Sequence, residues 1–420
     1  MQTTVEGSYV GIDWGDKEHY VYVVDAQGRR RTDFALPQSA QGLGELVSRL
    51  RPFEPIEGIA IEKEQLLLVA GLLEAGLTVY PVNPKLVDTW AKCVSVDPPK
   101  DDRRAAATLA EGLRKFRNDL RPLRVEDPLT RQLQILTRHE TQLIGQRTAL
   151  VNQLKDCLKL YYPEFLDWYE DLTTTTAADF LIAFPTSRAL REATAHQVRR
   201  TLLAHDSRLT ERRQALLAAR AQIVWPQDEV AAAGHAPYAV TLARQIKALN
   251  LGLADLRQAI EALFPQHPDA ALFDSLPGAG AKLAPRLLSH FGTDRSRFDG
   301  ARAVQALSGS VPLTKASGGK KQVVFRWACQ KHFRNTVHQF AFCSLERSPW
   351  ARAFYDQAKA RGFSNAKALR ELGAKWLKII YRMWETRTPY NEAIYLRSLE
   401  AHGSPLAARL RVGEQPVGEQ

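Results

Sequence analysis

The stretch Tyr9 to Asp25, YVGIDWGDKEHYVYVVD, constrains the chain most. Two short apolar runs, VGID and YVYVVD, flank a polar turn containing Gly15 and Asp16, a pattern that predicts two strands with a tight connection. The first run ends on Asp13, which places a carboxylate at a strand tip within reach of a ligand. A strand-end aspartate also serves as a turn residue or helix cap, so its meaning depends on what accompanies it.

The next hundred or so residues extend the sheet. RRRTDFALP predicts a third strand, Ser39 to Arg51 has the leucine spacing of an amphipathic helix, and EGIAIE is a fourth short strand ending on Glu62. A helix over about Gln65 to Ala75 and a fifth strand in LTVYPVNP complete the series. An antiparallel meander followed by βαβ units is the order of an α/β ribonuclease H-like, or RuvC-like, domain, in which the ends of strands one and four lie side by side. Asp13 and Glu62 are then expected to meet. In DPPKDDRRAAATLAEGLRKF, Pro98 and Pro99 stop the preceding segment and an aspartate caps a new helix. Asp101 and Asp102 in its first turn suit the helix dipole, and one of them can complete a carboxylate set for Mg2+, which takes oxygen ligands and keeps several waters.

From Leu129 to Tyr161 the core positions step by four and three, with only Glu140 and Arg147 polar in the series. This is a heptad seam, closed by a second subunit or by an antiparallel return from Ser187–Val224 or Tyr238–Leu263. DLTTTTAADF and WPQDEVAAAGHAP read as loops between these helices. Further on, DSLPGAGAKLAPRLLSHFG has the glycine spacing of a helix-hairpin-helix turn, so Gly278, Gly280 and Lys282 are candidate phosphate contacts; a plain glycine turn between packed helices is the alternative. A Ser-Gly-Gly loop then lies among Lys315, Lys320, Lys321 and Arg326, with Trp327 and Phe333 interleaved, whereas Trp350, Trp376 and Trp384 are expected in the core of a mainly α-helical end domain.

Charge sorts these parts. Residues 280–420 hold 24 Lys and Arg against 10 Asp and Glu, a surplus of 14, so residues 1–279 sum to −3 within a total of +11. So uneven a split favours a polyanionic partner for the C-terminal part. The four cysteines lack CxxC spacing, which argues against a zinc site or disulfide frame. A polar N-terminus and the lack of a long apolar run predict a cytoplasmic chain with no membrane association.

Taken together, these motifs resemble the bridge-RNA-guided insertion-sequence transposases, serine-dependent recombinases of DEDD type. The resemblance rests on VGIDWGDKEHYVYVVD, IAIE, VYPVNP and KDDRRAA at one end, and on LPGAGAKLAPRLLSHFG, FDGARAVQALSG and PLTKASG at the other. It implies a RuvC-like metal-dependent domain over 1–126, a helical coiled-coil assembly region over 127–265, a transposase domain over 266–400 and a flexible tail over 401–420. It implies Mg2+ held by Asp13, Glu62 and Asp102, and Ser317 as nucleophile, forming a 5′-phosphoserine link to DNA. It further implies a structured bridge RNA pairing with donor and target DNA, and a homodimer that assembles into a homotetramer whose active site is composite. Two features depart from the family pattern. A fourth aspartate is replaced by Ala105, which is what an inactivating Asp→Ala change would leave, unless Asp101 substitutes for it. Lys63 and Glu64 stand where relatives carry small residues. The competing readings are a junction endonuclease that uses metal-bound water, which would keep cleaving without Ser317, and a non-catalytic DNA- or RNA-binding protein.

Overall fold

The computed structural model describes residues 7–62, 67–94, 101–124, 126–204, 228–404 and 406. Lys63, Glu64, Pro98, Pro99 and nearly all of the tail beyond 404 lie outside them. The chain divides into two compact units, residues 1–125 and 126–420.

The first unit is a mixed α/β sheet domain. Its strands are β1 (Ser8–Trp14), β2 (Glu18–Val24), β3 (Arg30–Pro37), β4 (Ile56–Ile61) and β5 (Val79–Pro81), in the order β3-β2-β1-β4-β5. β2 runs antiparallel to both β1 and β3, while β1, β4 and β5 are parallel. Helices α1 (Ala40–Leu50), α2 (Leu67–Glu74), α3 (Pro84–Val94) and α4 (Asp102–Phe116) complete it. Strand alternation explains why the sheet has two covered faces. Val10, Ile12, Val21, Val23, Ile59 and Ile61 pack in one cluster with Leu46, Leu50 and Leu72 of α1 and α2. The opposite face, represented by Ala60 and Tyr80, packs with Leu109 and Leu113 of α4 and Trp90 of α3.

Gly11 is what lets α4 lie directly on β1. A Cβ at that position would stand 2.0 Å from the Ala106 carbonyl oxygen and 2.5 Å from the Ala110 nitrogen, so any side chain there forces helix and strand apart. At the entrance to α4, Arg103 Nε donates to Asp33 Oδ2 at 2.7 Å, tying the helix start to β3. Tyr20 on β2 donates its hydroxyl to the same oxygen at 2.6 Å.

The second unit is mostly helical. Helix α5 (Pro128–Tyr161) is followed by α6 (Glu164–Trp168), α7 (Thr175–Ala183), α8 (Ser187–Glu192) and α9 (Ala195–Leu203). Helix α10 (Glu229–Leu263) then returns along α5, as Cys157–His235, Arg147–Asn250 and Glu140–Arg257 contacts show in antiparallel order. The heptad seam therefore closes within one chain. The two stretches read as loops are partly helical: Thr174 accepts from the Ala177 amide to start α7, and α10 begins at Glu229 despite Gly234 and Pro237.

The remaining elements are α11 (Ala270–Asp274), α12 (Gly280–Phe291), α13 (Ala301–Ser308), a hairpin of β6 (Leu313–Ser317) and β7 (Lys320–Val324), α14 (Lys331–Cys343), α15 (Pro349–Ala360), α16 (Asn365–Thr386) and α17 (Glu392–Ala401). Their core gathers Phe291, Phe333, Phe340, Trp350, Trp376 and Trp384, and it reaches Leu133 at the start of α5. A separate core around Tyr162, Phe165 and Phe180 seals the far end of the α5–α10 pair. Between the two cores lies Glu140, 2% exposed, whose carboxylate accepts from Arg257 at 2.9 Å and from Arg286 at 2.8 Å. Among the described residues, no helix is long and apolar enough to cross a membrane.

Candidate active site

Parallel pairing of β1 with β4 sets Ile12 opposite Ile61, so the next residue in each strand brings Asp13 beside Glu62 at the carboxyl ends. Since Ile12 and Ile61 share the α1–α2 core, alternation turns Asp13 and Glu62 towards the α4 face, with Gly11 and Ala60. Asp102 occupies the first turn of α4, on the stripe that continues through Ala106, Leu109 and Leu113 onto the sheet. The close approach at Gly11 therefore positions the third carboxylate.

These three groups feel one another. Asp13, half-buried, has its pKa pushed up to about 6, first by burial, then by repulsion from Asp102 and Glu62, with a hydrogen bond from the Trp14 backbone opposing the shift. A carboxyl so destabilised as an anion is relieved by a cation, and hard oxygen donors suit a divalent ion. Among the described residues, however, no three His, Cys, Asp or Glu side chains converge tightly enough to enclose a metal. The two facts are compatible because repulsion between carboxylates acts over longer distances than metal–oxygen bonds. The donors share a field, and their side chains would draw in around an ion.

Asp101 is engaged with the start of α4 itself. Its Oδ1 accepts from the Arg104 amide at 2.9 Å as the N-cap of α4, and its Oδ2 pairs with Arg104 Nε at 3.1 Å. The capping reading of this residue holds. Ala105 is half-buried one turn after Asp102 and offers no donor atom.

The basic candidates fall in the second unit. Ser317 is not in a loop: it ends β6 and pairs with Lys320 across a two-residue turn. Gly318 and Gly319, at φ +55° and +77°, make the turn that joins two strands with the correct twist. Lys315 pairs with Gln322 and Ala316 with Lys321, so alternation sets Ser317 on one ribbon face with Lys315 and Lys320, and Lys321 on the other. The whole ribbon from Leu313 to Val323 is exposed, and the Ser317 hydroxyl makes no hydrogen bond among the described residues. Arg326 braces the base of the ribbon, reaching the Val311 carbonyl at 3.4 Å.

The run LPGAG links α11 to α12. Gly278, at φ +82°, has the Cys343 carbonyl oxygen 2.6 Å from where a Cβ would stand, so packing against α14 accounts for this glycine. Gly280, at φ +52°, faces open space, and Lys282 is exposed on the first turn of α12. Phe333, read as interleaved with the lysines, is fully buried against the His290 ring at 4.4 Å. One signal is missed by motif reading although counting alone finds it. From Gly300 to Leu345 there is no Asp or Glu, while Arg302, Lys315, Lys320, Lys321, Arg326, Lys331 and Arg334 are all basic.

Comparison with known proteins agrees with this division. A family model for transposases of the IS110 DEDD type matches residues 10–163, and one described as transposase IS116/IS110/IS902 family matches residues 270–356. The mini-circle putative transposase for IS117 of Streptomyces coelicolor is 31% identical over 399 residues, covering 91% of this chain and 95% of that protein. The chain belongs to the IS110 family of insertion-sequence transposases. The chain is also similar to the insertion element IS900 uncharacterized 42 kDa protein of Mycobacterium paratuberculosis, 25% identical over 92% of this chain and 97% of that protein. The insertion element IS116 uncharacterized 44.8 kDa protein of Streptomyces clavuligerus is 24% identical over 94% of this chain and 98% of its own length. The two model matches bracket the carboxylate set and the Ser317 ribbon respectively, and a transposase of this family acts on DNA.

Proposed function

We propose that the chain is a bridge-RNA-guided DNA recombinase whose first unit is a ribonuclease H-like metal domain and whose Ser317 attacks DNA. The observation that carries this reading is the shared field of Asp13, Glu62 and Asp102, built by the β1–β4 register and the seating of α4 at Gly11. The strand order β3-β2-β1-β4-β5, with one antiparallel meander and two parallel additions, supports the ribonuclease H-like assignment.

Asp13, Glu62 and Asp102 would hold Mg2+, which when bound supplies Lewis acidity at the phosphoryl oxygens. Ser317 provides the nucleophile: its Oγ–P bond forms as the P–O3′ bond breaks, and the hydroxyl proton is balanced by one taken up on the departing 3′ oxygen. The product is a 5′-phosphoserine link and a free 3′ hydroxyl, which conserves the bond energy for rejoining. Lys315 and Lys320, on the serine's own face of the ribbon, offset phosphate charge. Because the carboxylates belong to the first unit and Ser317 to the second, the reading allows them to come from different subunits of a tetramer. The acid-free run from Gly300 to Leu345 and the basic C-terminal half would hold nucleic acid by its backbone, while a guide RNA reads donor and target sequence by pairing. Gly280 and Lys282 at the start of α12 are further phosphate contacts in this reading, and residues 127–265 are the assembly region.

The test uses four full-length proteins with the element's RNA and cognate DNAs: the chain as it stands, Ala105→Asp, and Ser317→Ala in each background. The expected result is recombination and a serine-dependent covalent adduct with Ala105→Asp, and neither with the alanine chain. Cleavage that survives Ser317→Ala would replace the serine by metal-activated water; no activity after Ala105→Asp would favour a binding protein.

A further inference from the structure

A single exposed aromatic residue needs no explanation, but the setting of Trp327 does. Trp327 is 78% exposed, three residues beyond the end of β7, the second strand of the ribbon that carries Ser317. It is also held in place. The Phe325 ring meets the indole at 4.8 Å between centroids and 74° between planes. Phe325 is itself clamped by two cations, with the guanidinium carbons of Arg334 and Arg370 at 4.7 and 4.9 Å from its centroid. Arg334 also donates to the Arg326 carbonyl at 2.6 Å, which fixes the backbone just before Trp327. Neither Arg334 nor Arg370 has an ion-pair partner among the described residues, and the Arg334 Nε is buried without a hydrogen bond. Two like charges on one ring, with an open indole beside them and no acid from residue 300 to 345, describe a surface that lacks an anion with a π-face.

We infer that Trp327 is a stacking platform for an unpaired base of the DNA strand that runs along the ribbon towards Ser317, with Arg334 and Arg370 facing the adjoining phosphates. The choice of DNA rests on the proposed role of Ser317, since Trp327 follows directly on the ribbon that carries it. Val324 pairs with Leu313 at the ribbon's base and Lys320 with Ser317 at its tip. At about 3.3 Å per residue, Trp327 is therefore at most roughly 23 Å along the chain from Lys320, a few nucleotides from the bond that would be cut. Stacking at that distance would keep a strand splayed beside the serine without reading its sequence.

The experiment uses the full-length chain with a single-stranded DNA oligonucleotide carrying one 2-aminopurine, the matching duplex, and an RNA oligonucleotide of the same sequence. Trp327→Ala is expected to weaken single-stranded DNA binding on the order of tenfold and to abolish the quenching of 2-aminopurine that stacking causes. Trp327→Phe should retain most of both. The slope of affinity against salt should stay unchanged for Trp327→Ala and fall for Lys321→Ala, which removes a backbone contact. Unchanged DNA affinity in Trp327→Ala would overturn the inference, as would a loss confined to RNA. A changed oligomeric state by light scattering without loss of DNA binding would also overturn it, by assigning the surface to a second copy of the chain. These readouts involve no cleavage, so failure of the Ser317 chemistry and failure of the stacking platform are distinguishable.

Discussion

Replacing Asp13 by Asn should stabilise the first unit in metal-free buffer at neutral pH while removing its response to magnesium. The Asp13 pKa stands at about 6 in the folded chain against an ordinary 3.8, through burial and the repulsion of Asp102 and Glu62. Between those two pH values the folded chain holds more proton at this site than the unfolded chain, so stability declines as pH rises through the window. The penalty is absent below about pH 4 and complete above about pH 6. At full strength the displacement corresponds to roughly 3 kcal/mol, and partial solvent screening at a half-buried site reduces it to about 1–2 kcal/mol. Asn keeps the shape of the side chain without the charge. Hydrogen exchange of the β1 and β4 amides reports this unit by itself, which avoids treating a chain of two units as one transition. Protection in Asp13→Asn should exceed that of the parent by about five- to thirtyfold at pH 7.5 and match it at pH 4. Added Mg2+ should raise protection in the parent and not in the variant. Equal protection at both pH values, or an equal response to Mg2+, would refute the idea that these carboxylates form one destabilised set awaiting a cation.

Three further outcomes are expected from the packing. Gly11→Ala places a methyl group 2.0 Å from the Ala106 carbonyl oxygen, so α4 must lift from β1; urea denaturation should show a loss of about 1–3 kcal/mol or more, with the Mg2+ response weakened as Asp102 moves away. Glu140→Gln leaves Arg257 and the buried Arg286 without their counter-charge and should cost about 3–5 kcal/mol in the second unit, whereas joint replacement of Glu140 and Arg286 by Leu and Met should recover much of it. Gly318→Ala with Gly319→Ala puts two side chains in left-handed backbone conformations, at about 1–2 kcal/mol each; circular dichroism should show the helices intact while, in the Ala105→Asp background, formation of the covalent adduct falls.

Much of the first unit was legible because local and long-range signals agree there. Each strand alternates or runs apolar, and Ser39 and Asp101 cap α1 and α4 with the residues sequence rules expect. The pairing of Asp13 with Glu62 came from element order alone, since few topologies join a meander to βαβ units. What sequence could not supply was the tight seating at Gly11, which depends on Ala106 and Ala110 almost a hundred residues away.

The second unit was harder, for two physical reasons. In α10, Gly234 and Pro237 are helix breakers by propensity, yet burial of Ala239, Leu242 and Ala243 with Leu154 and Leu158 of α5 outweighs their cost. In the Ser317 ribbon every residue but Val324 is exposed, so the alternation that marks a half-buried strand is missing, and Ser317-Gly318-Gly319 reads from sequence as a loop although the two glycines form a hairpin turn. Glu140 was visible as a polar break in the heptad seam, but its partners Arg257 and Arg286 lie 117 and 146 residues along the chain.

The most direct measurement is the identity of the atom joined to DNA. Ala105→Asp protein, incubated with guide RNA, cognate DNA and Mg2+, would be denatured, digested with nuclease and protease, and analysed by mass spectrometry. The expected product is a nucleotide attached through its 5′ phosphate to the peptide containing Ser317, absent when Ser317→Ala is added. A nucleotide on any other residue, or cut DNA ends with no peptide attached, would contradict the serine recombinase mechanism.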